Sequence, residues 1–378
     1  MPRTHTLSTA STEAKTATDL TTWHSKNRRD LPWRAPWGQN PDPYHVLVSE
    51  FMLQQTQVAT VIPYFHRFLE AFPTLQHLAE APADTVMRHW QGLGYYRRAK
   101  RLQACAQAIV QQHQGRFPQT YDQLADLPGV GPYTAGAIAS IAFNQPVPAI
   151  DGNANRVLAR LFDIPDPVDK TPGKKAIQQA AESLHAAAPR ANPGMLNEAI
   201  IELGATLCTP TEPQCLLCPV ADHCQARASN TIHLRPVTTP KKKPTAVTHH
   251  ILAIFKPRRG SVPESAGHWL LRQRPASGLW ADLWELPTLE EDATPEALTE
   301  WAHDTFGLRI TTPKRRHRFQ HQTTHRTITF VLWHATPQSG RLKPPSARWL
   351  TPAQIDQVPL AKPQTTALSQ LSVLNPSG

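Results

Sequence analysis

Residues 127–135, Leu-Pro-Gly-Val-Gly-Pro-Tyr-Thr-Ala, are the stretch that decides the fold. The patterns on both sides are helical, and Gly129 and Gly131 permit a tight turn whose amides point outward. Amides in a turn that leads into a helix N-terminus bind a phosphate oxygen well. Such contacts position DNA without reading its sequence. The segment therefore predicts a backbone-binding hairpin between two helices, and the alternative interpretation is a plain connecting turn.

Helical periodicity extends outward from this hairpin. From Asp19 to about Ala226, apolar residues recur at spacings of three and four, with proline and glycine between segments. We expect helices at 44–60, 65–72, 83–90, 97–113, 132–142, 153–162, 173–187 and 195–207. Residues 1–18 are rich in Thr, Ser and Ala and lack the apolar core of a signal peptide, so we expect a disordered tail there.

The composition changes near residue 227. Residues 227–245 hold prolines and the run Lys241 to Lys243, which predicts an exposed linker. Beyond the linker, we expect strands at 247–255, 268–273, 326–333 and 347–350, and a helix at 294–306. The chain is thus expected to be multi-domain, with an all-α domain at 19–226 and a smaller α+β domain at 246–375.

Length and charge limit the possible functions. A chain of 378 residues is too long for one ordinary core. Lys and Arg number 39 against 29 Asp and Glu, a net charge of +10 that favours a nucleic acid partner. No apolar run approaches the ~20 residues of a membrane span. We expect no membrane partner and a cytoplasmic, monomeric protein, associated in a bacterial cell with the nucleoid through DNA.

Four of the five cysteines lie on one short segment. Cys208, Cys215, Cys218 and Cys224 are separated by six, two and five residues. Disulfide scaffolds spread their cysteines along short chains, whereas four thiolates on one loop can surround a small inorganic core. The alternative is structural zinc, which usually takes two Cys-x2-Cys pairs where this loop has one. The fifth, Cys105, is expected to be a packed core thiol.

Two carboxylates stand in contrasting local settings. Glu50 lies in an apolar helical stretch, where burial is expected to raise its pKa. Asp151 precedes the helix at 153–162, whose N-terminus favours an ionised carboxylate. One neutral acid and one anion are the pair that glycosidic bond cleavage requires. The alternative roles are a structural ion pair for Glu50 and a simple helix cap for Asp151.

Together these segments resemble the helix-hairpin-helix superfamily of DNA glycosylases, and the four cysteines resemble the cluster loop of its iron–sulfur branch. Three segments are similar to motifs of the MutY-type adenine DNA glycosylases: Ser49 to Gln57, Leu31 to Arg34 and Gly92 to Tyr96. The resemblance is dense over 20–225. It implies one [4Fe–4S] cluster on the loop 208–224. It also implies excision of adenine, flipped out of double-stranded DNA, where it lies opposite 8-oxoguanine or guanine.

The resemblance also implies residue roles. Glu50 matches the general acid, Asp151 the carboxylate that stabilises the sugar cation, and Asn153 a polar partner of that pair. Tyr133 occupies the position where bifunctional relatives carry a Schiff-base lysine, so hydrolysis by a monofunctional enzyme is expected. The adenine pocket is matched by Trp33, Arg34 and Glu198, and the DNA-binding and wedge positions by Gln55, Thr56, Leu93, Tyr95, Gly129 and Gly131. Residues 36–40 depart from the pattern as a small insertion.

The segment 246–375 resembles the Nudix-like C-terminal domain of the same family, on Gly278-Leu279-Trp280 and Leu283 to Pro287. A working Nudix motif needs several Glu to hold magnesium, and 300–307 offers only two acidic residues, so we expect no hydrolase motif. Phe319, Gln320 and His321 match a Phe-Ser-His loop that contacts 8-oxoguanine, with Gln replacing Ser. Nearby cations suit phosphates or a solvated face: Lys314, Arg315, Arg316, Arg318 and Arg326.

Three other functions fit parts of the pattern. Tyr133 and the second domain argue against a bifunctional glycosylase and lyase acting on pyrimidine lesions. The sparse acidic residues argue against a nucleotide pyrophosphohydrolase. The pair Glu50 and Asp151 argues against a DNA-binding protein without catalytic activity.

Overall fold

The structure, a computed structural model, describes residues 6–240, 243–258, 267–343 and 346–373, with side chains from residue 11 onward. It divides into two compact units. The first comprises Met1–Glu80 and Arg101–Pro240, and the second comprises Ala81–Lys100 and Lys241–Gly378. The segment 81–100, placed by its sequence pattern in the helical domain, thus belongs to the second unit.

The helices are numbered in chain order. They are α1 Thr6–Asn27, α2 Pro43–Leu53, α3 Val58–Ala71, α4 Leu75–Glu80, α5 Ala83–His89, α6 Arg97–Gln112, α7 Tyr121–Ala125, α8 Pro132–Phe143, α9 Gly152–Leu161, α10 Thr171–Ala187, α11 Pro193–Thr206, α12 Gln225–Ala228, α13 Pro295–Phe306, α14 Pro352–Ile355 and α15 Lys362–Gln370. None of the helices in the described ranges is long and apolar enough to cross a membrane.

The first unit is all-α, and one core joins α1, α9, α10 and α11. Gly204 on α11 lies against α9, where an added Cβ would stand 2.7 Å from the Cβ of Asn153. Real Cβ atoms do not approach so closely, so any side chain at 204 would push α11 away from α9. The absence of a side chain therefore sets the distance between the two helices.

Two expectations for the first unit are wrong. Residues 6–18, expected to be disordered, form the start of α1, while residues 1–5 lie outside the described residues. Ala17 and Leu20 are fully buried in the core, and the Thr16 hydroxyl donates to the Thr12 carbonyl at 2.8 Å. Back-bonding of this kind lets a Thr-rich segment remain helical.

The second error concerns the predicted helix 44–60. The chain leaves α2 after Leu53 and begins α3 at Val58, because Gln55 adopts the left-handed conformation with φ 60°. Helical spacing of apolar residues continues across this break, so periodicity alone does not reveal it.

The second unit is built around a mixed sheet. Its strands are β1 Thr245–Lys256, β2 His268–Gln273, β3 Trp284–Glu285, β4 Thr288–Leu289, β5 Leu308–Ile310, β6 Lys314–Gln322, β7 Arg326–Ala335, β8 Pro337–Gly340 and β9 Ala347–Leu350. The order is β3-β2-β1-β7-β6, with β4 on β1 and β9 on β2, and β5 pairs β8 separately. β1 and β7 run parallel, whereas β6 and β7 form an antiparallel hairpin.

Side chains of β1 alternate between two cores. Ile251 and Ala253 face a core with Phe330 and residues of α15, while Leu252 and Ile254 face a core with α13. The four expected strands and the expected helix at 294–306 are present, which confirms an α+β unit. Of the predicted linker, Lys241 and Lys242 lie outside the described residues.

β6 carries the residues expected to form a recognition loop. Lys314 to Arg318 are exposed without alternation, so their sequence lacks the signature of a half-buried strand. They form an edge strand because β7 supplies the backbone hydrogen bonds.

Candidate active site

An open cleft of about 700 Å³ lies in the first unit. Residues from α2, α8, α9 and α11 and from the segments before α2 and between α2 and α3 line it. Nine of the site residues predicted from the sequence line the cleft: Trp33, Arg34, Glu50, Gln55, Thr56, Tyr133, Asp151, Asn153 and Glu198. Ser49, the first residue of the motif Ser49 to Gln57, lines it as well. Residues distant in sequence are thus brought to one concave surface.

Glu50 is a buried acid at the wall of the cleft. Its side chain emerges from the apolar helix α2 and is 7% exposed. Burial raises its pKa to about 7, and the negative charges of Asp151 and Glu198 act in the same direction. Its Oε2 has no hydrogen-bond partner among the described residues. The carboxyl can therefore hold a proton near neutral pH and present it to a ligand in the cleft.

Tyr133 lies in the first turn of α8, directly after the glycine hairpin. Its phenol hydrogen-bonds the Glu50 carboxyl, which opposes the rise in the pKa of Glu50. Burial, followed by the charges of Glu50 and Asp151, raises the pKa of Tyr133 well above its ordinary value. The phenol therefore stays protonated and orients the acid.

Asp151 caps α9 and faces the cleft. Its Oδ1 accepts from the Ala154 amide at 2.7 Å, and its Oδ2 accepts from Asn153 Nδ2 at 2.9 Å. The hydrogen bonds at the helix terminus lower the pKa of this carboxyl, in the direction that was expected to favour its ionised form. Burial raises the pKa of Asp151 and outweighs these hydrogen bonds and the Arg156 charge. Desolvation of the side chain exceeds the effect of the helix end.

Asn153 is itself held in place. Its Oδ1 accepts from Arg156 Nη2 at 2.8 Å. The same guanidinium donates to the carbonyl oxygens of Gly204 at 2.8 Å and Cys208 at 2.7 Å. Arg156 thus ties the polar partner of Asp151 to α11 and to the start of the cysteine loop.

The opposite side of the cleft is an ion-pair network. Arg34 Nε lies 2.9 Å from Glu198 Oε1, and Arg34 Nη2 lies 2.9 Å from Glu202 Oε2. Arg29 Nε approaches Glu202 Oε1 at 2.7 Å. Burial raises the pKa of Glu198, whereas the two arginines outweigh burial at Glu202 and hold its pKa below the usual range.

The sequence reasoning missed Glu202 and Arg29. A signal exists, since Glu198 and Glu202 stand four residues apart on α11 and therefore share a face. Beside the insertion at 36–40, Arg34 hydrogen-bonds Glu198, Glu202 and the Arg29 carbonyl. Trp37 of the insertion packs against His24, with ring centroids 5.8 Å apart.

The glycine hairpin has the expected form. It connects α7 to α8, and Gly129 has φ 78°, where an added Cβ would lie 2.5 Å from the Cβ of Arg101. Gly131 is the N-cap of α8 and has open space on the side where a Cβ would stand. A phosphate could approach these amides closely.

Two predicted wedge residues lie elsewhere in the fold. Leu93 and Tyr95 belong to the turn before α6 in the second unit and do not line the cleft. Leu93 is buried, while Tyr95 is 48% exposed and left-handed, with φ 48°.

The four cysteines of the loop line one small pocket of about 30 Å³. Arg160 also lines it and donates to the Thr209 carbonyl at 2.7 Å and to Cys208 Sγ at 3.4 Å. Within the described part of the chain, no three ligating side chains converge as around a single metal ion. Cys105 is fully buried, as expected. Four thiols on one pocket are a donor set that suits either a small iron–sulfur core or a structural zinc ion.

The predicted recognition residues lie on β6. Phe319 stacks on Phe330 with centroids 5.3 Å apart, and His321 packs against Trp280 at 5.8 Å. Gln320, paired with Thr329 of β7, is exposed. Of the three, Gln320 is therefore the side chain most available to a ligand.

Comparisons with known proteins agree with this geometry. The sequence matches the HhH-GPD superfamily of base excision DNA repair proteins over residues 48–186 and a NUDIX domain over 261–370. The human adenine DNA glycosylase is 38% identical, covering 88% of this chain and 69% of the relative. That of Schizosaccharomyces pombe is 32% identical, covering 90% and 85%. The structure of a thermostable thymine-DNA glycosylase is 25% identical, with a TM-score of 0.51, covering 59% of this chain and 99% of that one.

Fold, cleft and sequence matches define a DNA glycosylase of the HhH-GPD superfamily, an enzyme that hydrolyses N-glycosyl bonds, followed by a Nudix-like domain. Within that class, the chain belongs to the adenine DNA glycosylase family.

The raised pKa of Glu50 is directly measurable. In protein labelled with ¹³C-glutamate, one carboxyl should titrate near pH 7, and its signal should be missing in Glu50→Gln. Asp151→Asn should lower that pKa, because it removes a neighbouring negative charge. The exposed Glu70→Gln is the control and should change nothing. A Glu50 carboxyl that titrates in the range of ordinary surface glutamates would contradict the assignment.

Proposed function

We propose that this enzyme is a monofunctional glycosylase that excises adenine lying opposite 8-oxoguanine or guanine in double-stranded DNA. The observation that carries the proposal is the pair formed by Glu50 and Asp151 on one cleft. The first carboxyl has a pKa of about 7 and an unpaired oxygen, while the second is hydrogen-bonded through both oxygens.

The two carboxyl groups suit the two requirements of N-glycosidic cleavage. Glu50 donates a proton to the departing adenine, which makes the base a better leaving group. Asp151 places negative charge beside the sugar as positive charge develops there. The bonds from Asn153 and the Ala154 amide fix that carboxylate before the reaction. Arg34 and Glu198 supply polar groups for the edge of the adenine.

Glu50→Gln should abolish excision while DNA binding survives. The amide keeps the shape but cannot deliver a proton, so the single-turnover rate should fall by about a hundredfold or more. Asp151→Asn should be similarly severe, because an amide cannot stabilise the sugar cation. Glu70→Gln, an exposed glutamate of α3, is the matched control. Near wild-type excision by Glu50→Gln on duplexes with adenine opposite 8-oxoguanine would refute the role.

The monofunctional assignment is supported by the cleft lining. Among the described residues that line it there is no lysine, and Tyr133 follows the hairpin where an imine-forming amine would be needed. We therefore expect no covalent adduct with DNA after borohydride reduction, visible as a shifted band on a denaturing gel. A bifunctional glycosylase of the same superfamily serves as the positive control. Strong trapping by the wild-type chain would overturn the assignment.

We infer that Cys208, Cys215, Cys218 and Cys224 hold one [4Fe–4S] cluster. Such a cluster would supply a covalent cross-link of the loop, since four ligands fix four points of the chain around one core. Arg160 and Arg156 already join this loop to α9. Between Cys208 and Cys224 the sequence has no lysine or arginine, so phosphate contacts are left to other segments.

Iron and acid-labile sulfide analysis tests the cluster. Protein purified without oxygen should contain about four of each per chain, and Cys218→Ser should lose them. Cys105→Ser, which changes a cysteine remote from the loop in sequence, should retain both. Stoichiometric zinc in place of iron would contradict the proposal.

Recognition of 8-oxoguanine is assigned to the second unit. Gln320 is exposed on β6, while its neighbours Phe319 and His321 point to the other face of the strand and pack against Phe330 and Trp280. An amide both donates and accepts, as reading a base edge requires. The exposed cations of β6 supply phosphate contacts that do not depend on the base.

Gln320→Ala should reduce the preference for adenine opposite 8-oxoguanine over adenine opposite guanine. One neutral hydrogen bond is worth about 0.5–1.5 kcal/mol, so the ratio of excision rates should fall by about two- to tenfold. Gln322→Ala, on the same face of the strand, is the matched control and should affect both duplexes alike. An unchanged ratio in Gln320→Ala would remove this residue from the recognition surface.

A further inference from the structure

A hydrogen bond joins two distant segments of the second unit. The phenol oxygen of Tyr95, in the turn before α6, lies 2.8 Å from Oγ1 of Thr324 at the tip of the β6–β7 hairpin. Both side chains are exposed, so burial does not force this contact. The sequence gives no indication of it, since 229 residues separate the partners.

The backbone of the turn is anchored by other bonds. Tyr96 Oη donates to the Leu360 carbonyl at 3.0 Å, and the Leu360 amide donates to Gln91 Oε1 at 2.9 Å. Arg98 Nη2 donates to the carbonyls of Leu93 and Gly94, each at 3.1 Å. These bonds fix the main chain. The Arg98 guanidinium also lies over one face of the Tyr95 ring, 5.5 Å from its centroid, which leaves the hydroxyl end of the ring to be held by Thr324. An exposed aromatic side chain otherwise samples several rotamers, and ordering it costs conformational entropy.

We propose that Thr324 is a positioning residue that holds the Tyr95 ring in the orientation in which it meets DNA. The hairpin that carries Gln320 and the turn that carries Tyr95 then form one preordered surface for DNA. The inference rests on the proposed function and deepens it. It assigns the orientation of the wedge tyrosine to a residue outside the triplet 319–321.

Charge on both segments fits a polyanionic partner. Neither 91–101 nor 314–326 contains an aspartate or glutamate. Arg97 follows Tyr95 by two residues, Arg326 follows Thr324 by two, and both are exposed. Gln320 lies on β6 two residues before the strand ends at Gln322, and Thr324 lies in the turn that follows. A duplex lying along the hairpin could therefore meet the ring, the amide and both cations together.

The test replaces the hydroxyl while keeping the shape. Thr324→Val should lower the preference for the 8-oxoguanine duplex by about two- to tenfold, the value of one neutral hydrogen bond. Thr324→Ser should restore it. Tyr95→Phe should give a similar loss, and the double variant should lose no more than either single one, because both remove the same bond.

A second measurement is independent of the reaction. The chain has six tyrosines, so ¹³C labelling of their rings gives few signals, and Tyr95→Phe assigns the one of interest. In free protein, ring relaxation should show greater motion of Tyr95 in Thr324→Val and recovery in Thr324→Ser. Thr327→Val, the same change three residues along the hairpin, is the matched control and should alter neither measurement.

The outcomes separate the two proposals. If the wild type prefers the 8-oxoguanine duplex and Thr324→Val changes neither that preference nor the motion of the Tyr95 ring, the positioning role is overturned. Equal losses in Thr324→Val and Thr327→Val would also overturn it, since they would reflect the hairpin as a whole. Absence of any preference in the wild type would instead contradict the proposed recognition of 8-oxoguanine, and the ring relaxation would still decide the role of Thr324.

Discussion

Desolvation of the Glu50 carboxyl is the constraint on which the chemistry of this cleft depends. Glu202 lies in the same cleft and is at least as buried, yet its pKa moves down while that of Glu50 moves up. The difference is the partner, because two arginines meet Glu202 whereas a tyrosine hydroxyl meets Glu50. Glu50 keeps a raised pKa because no arginine or lysine in the described part of the chain pairs with its buried carboxyl.

Motifs with a fixed local chemistry could be predicted from the sequence. The glycine hairpin, the helix capped by Asp151 and the four cysteines each depend on neighbours a few residues away, so their spacing is informative. The bounds of α8, α9 and α13 agree with the expected helices within two residues. The cleft residues Trp33, Arg34 and Glu198 followed from the family resemblance rather than from periodicity.

What could not be predicted depends on tertiary contacts. The second arginine of the ion-pair network, Arg29, is 173 residues from Glu202, and no local pattern links them. The pKa of Asp151 rises because of burial that only the packed fold creates. The break at Gln55 depends on a left-handed backbone conformation, and the helix over 6–18 depends on packing of its apolar residues into the core. Neither can be read from amino-acid composition. The inclusion of 81–100 in the second unit has the same origin.

Asp151 has two tasks with different tolerances. As a helix cap it accepts from the Ala154 amide, and serine, threonine or asparagine would serve almost as well. As an anion beside the cleft it has no such substitutes. Under the proposed function, substitution at this site would therefore yield chains that fold, remain abundant and still bind DNA, yet excise no adenine. A population screened for expression or thermal stability alone would carry such alleles unnoticed.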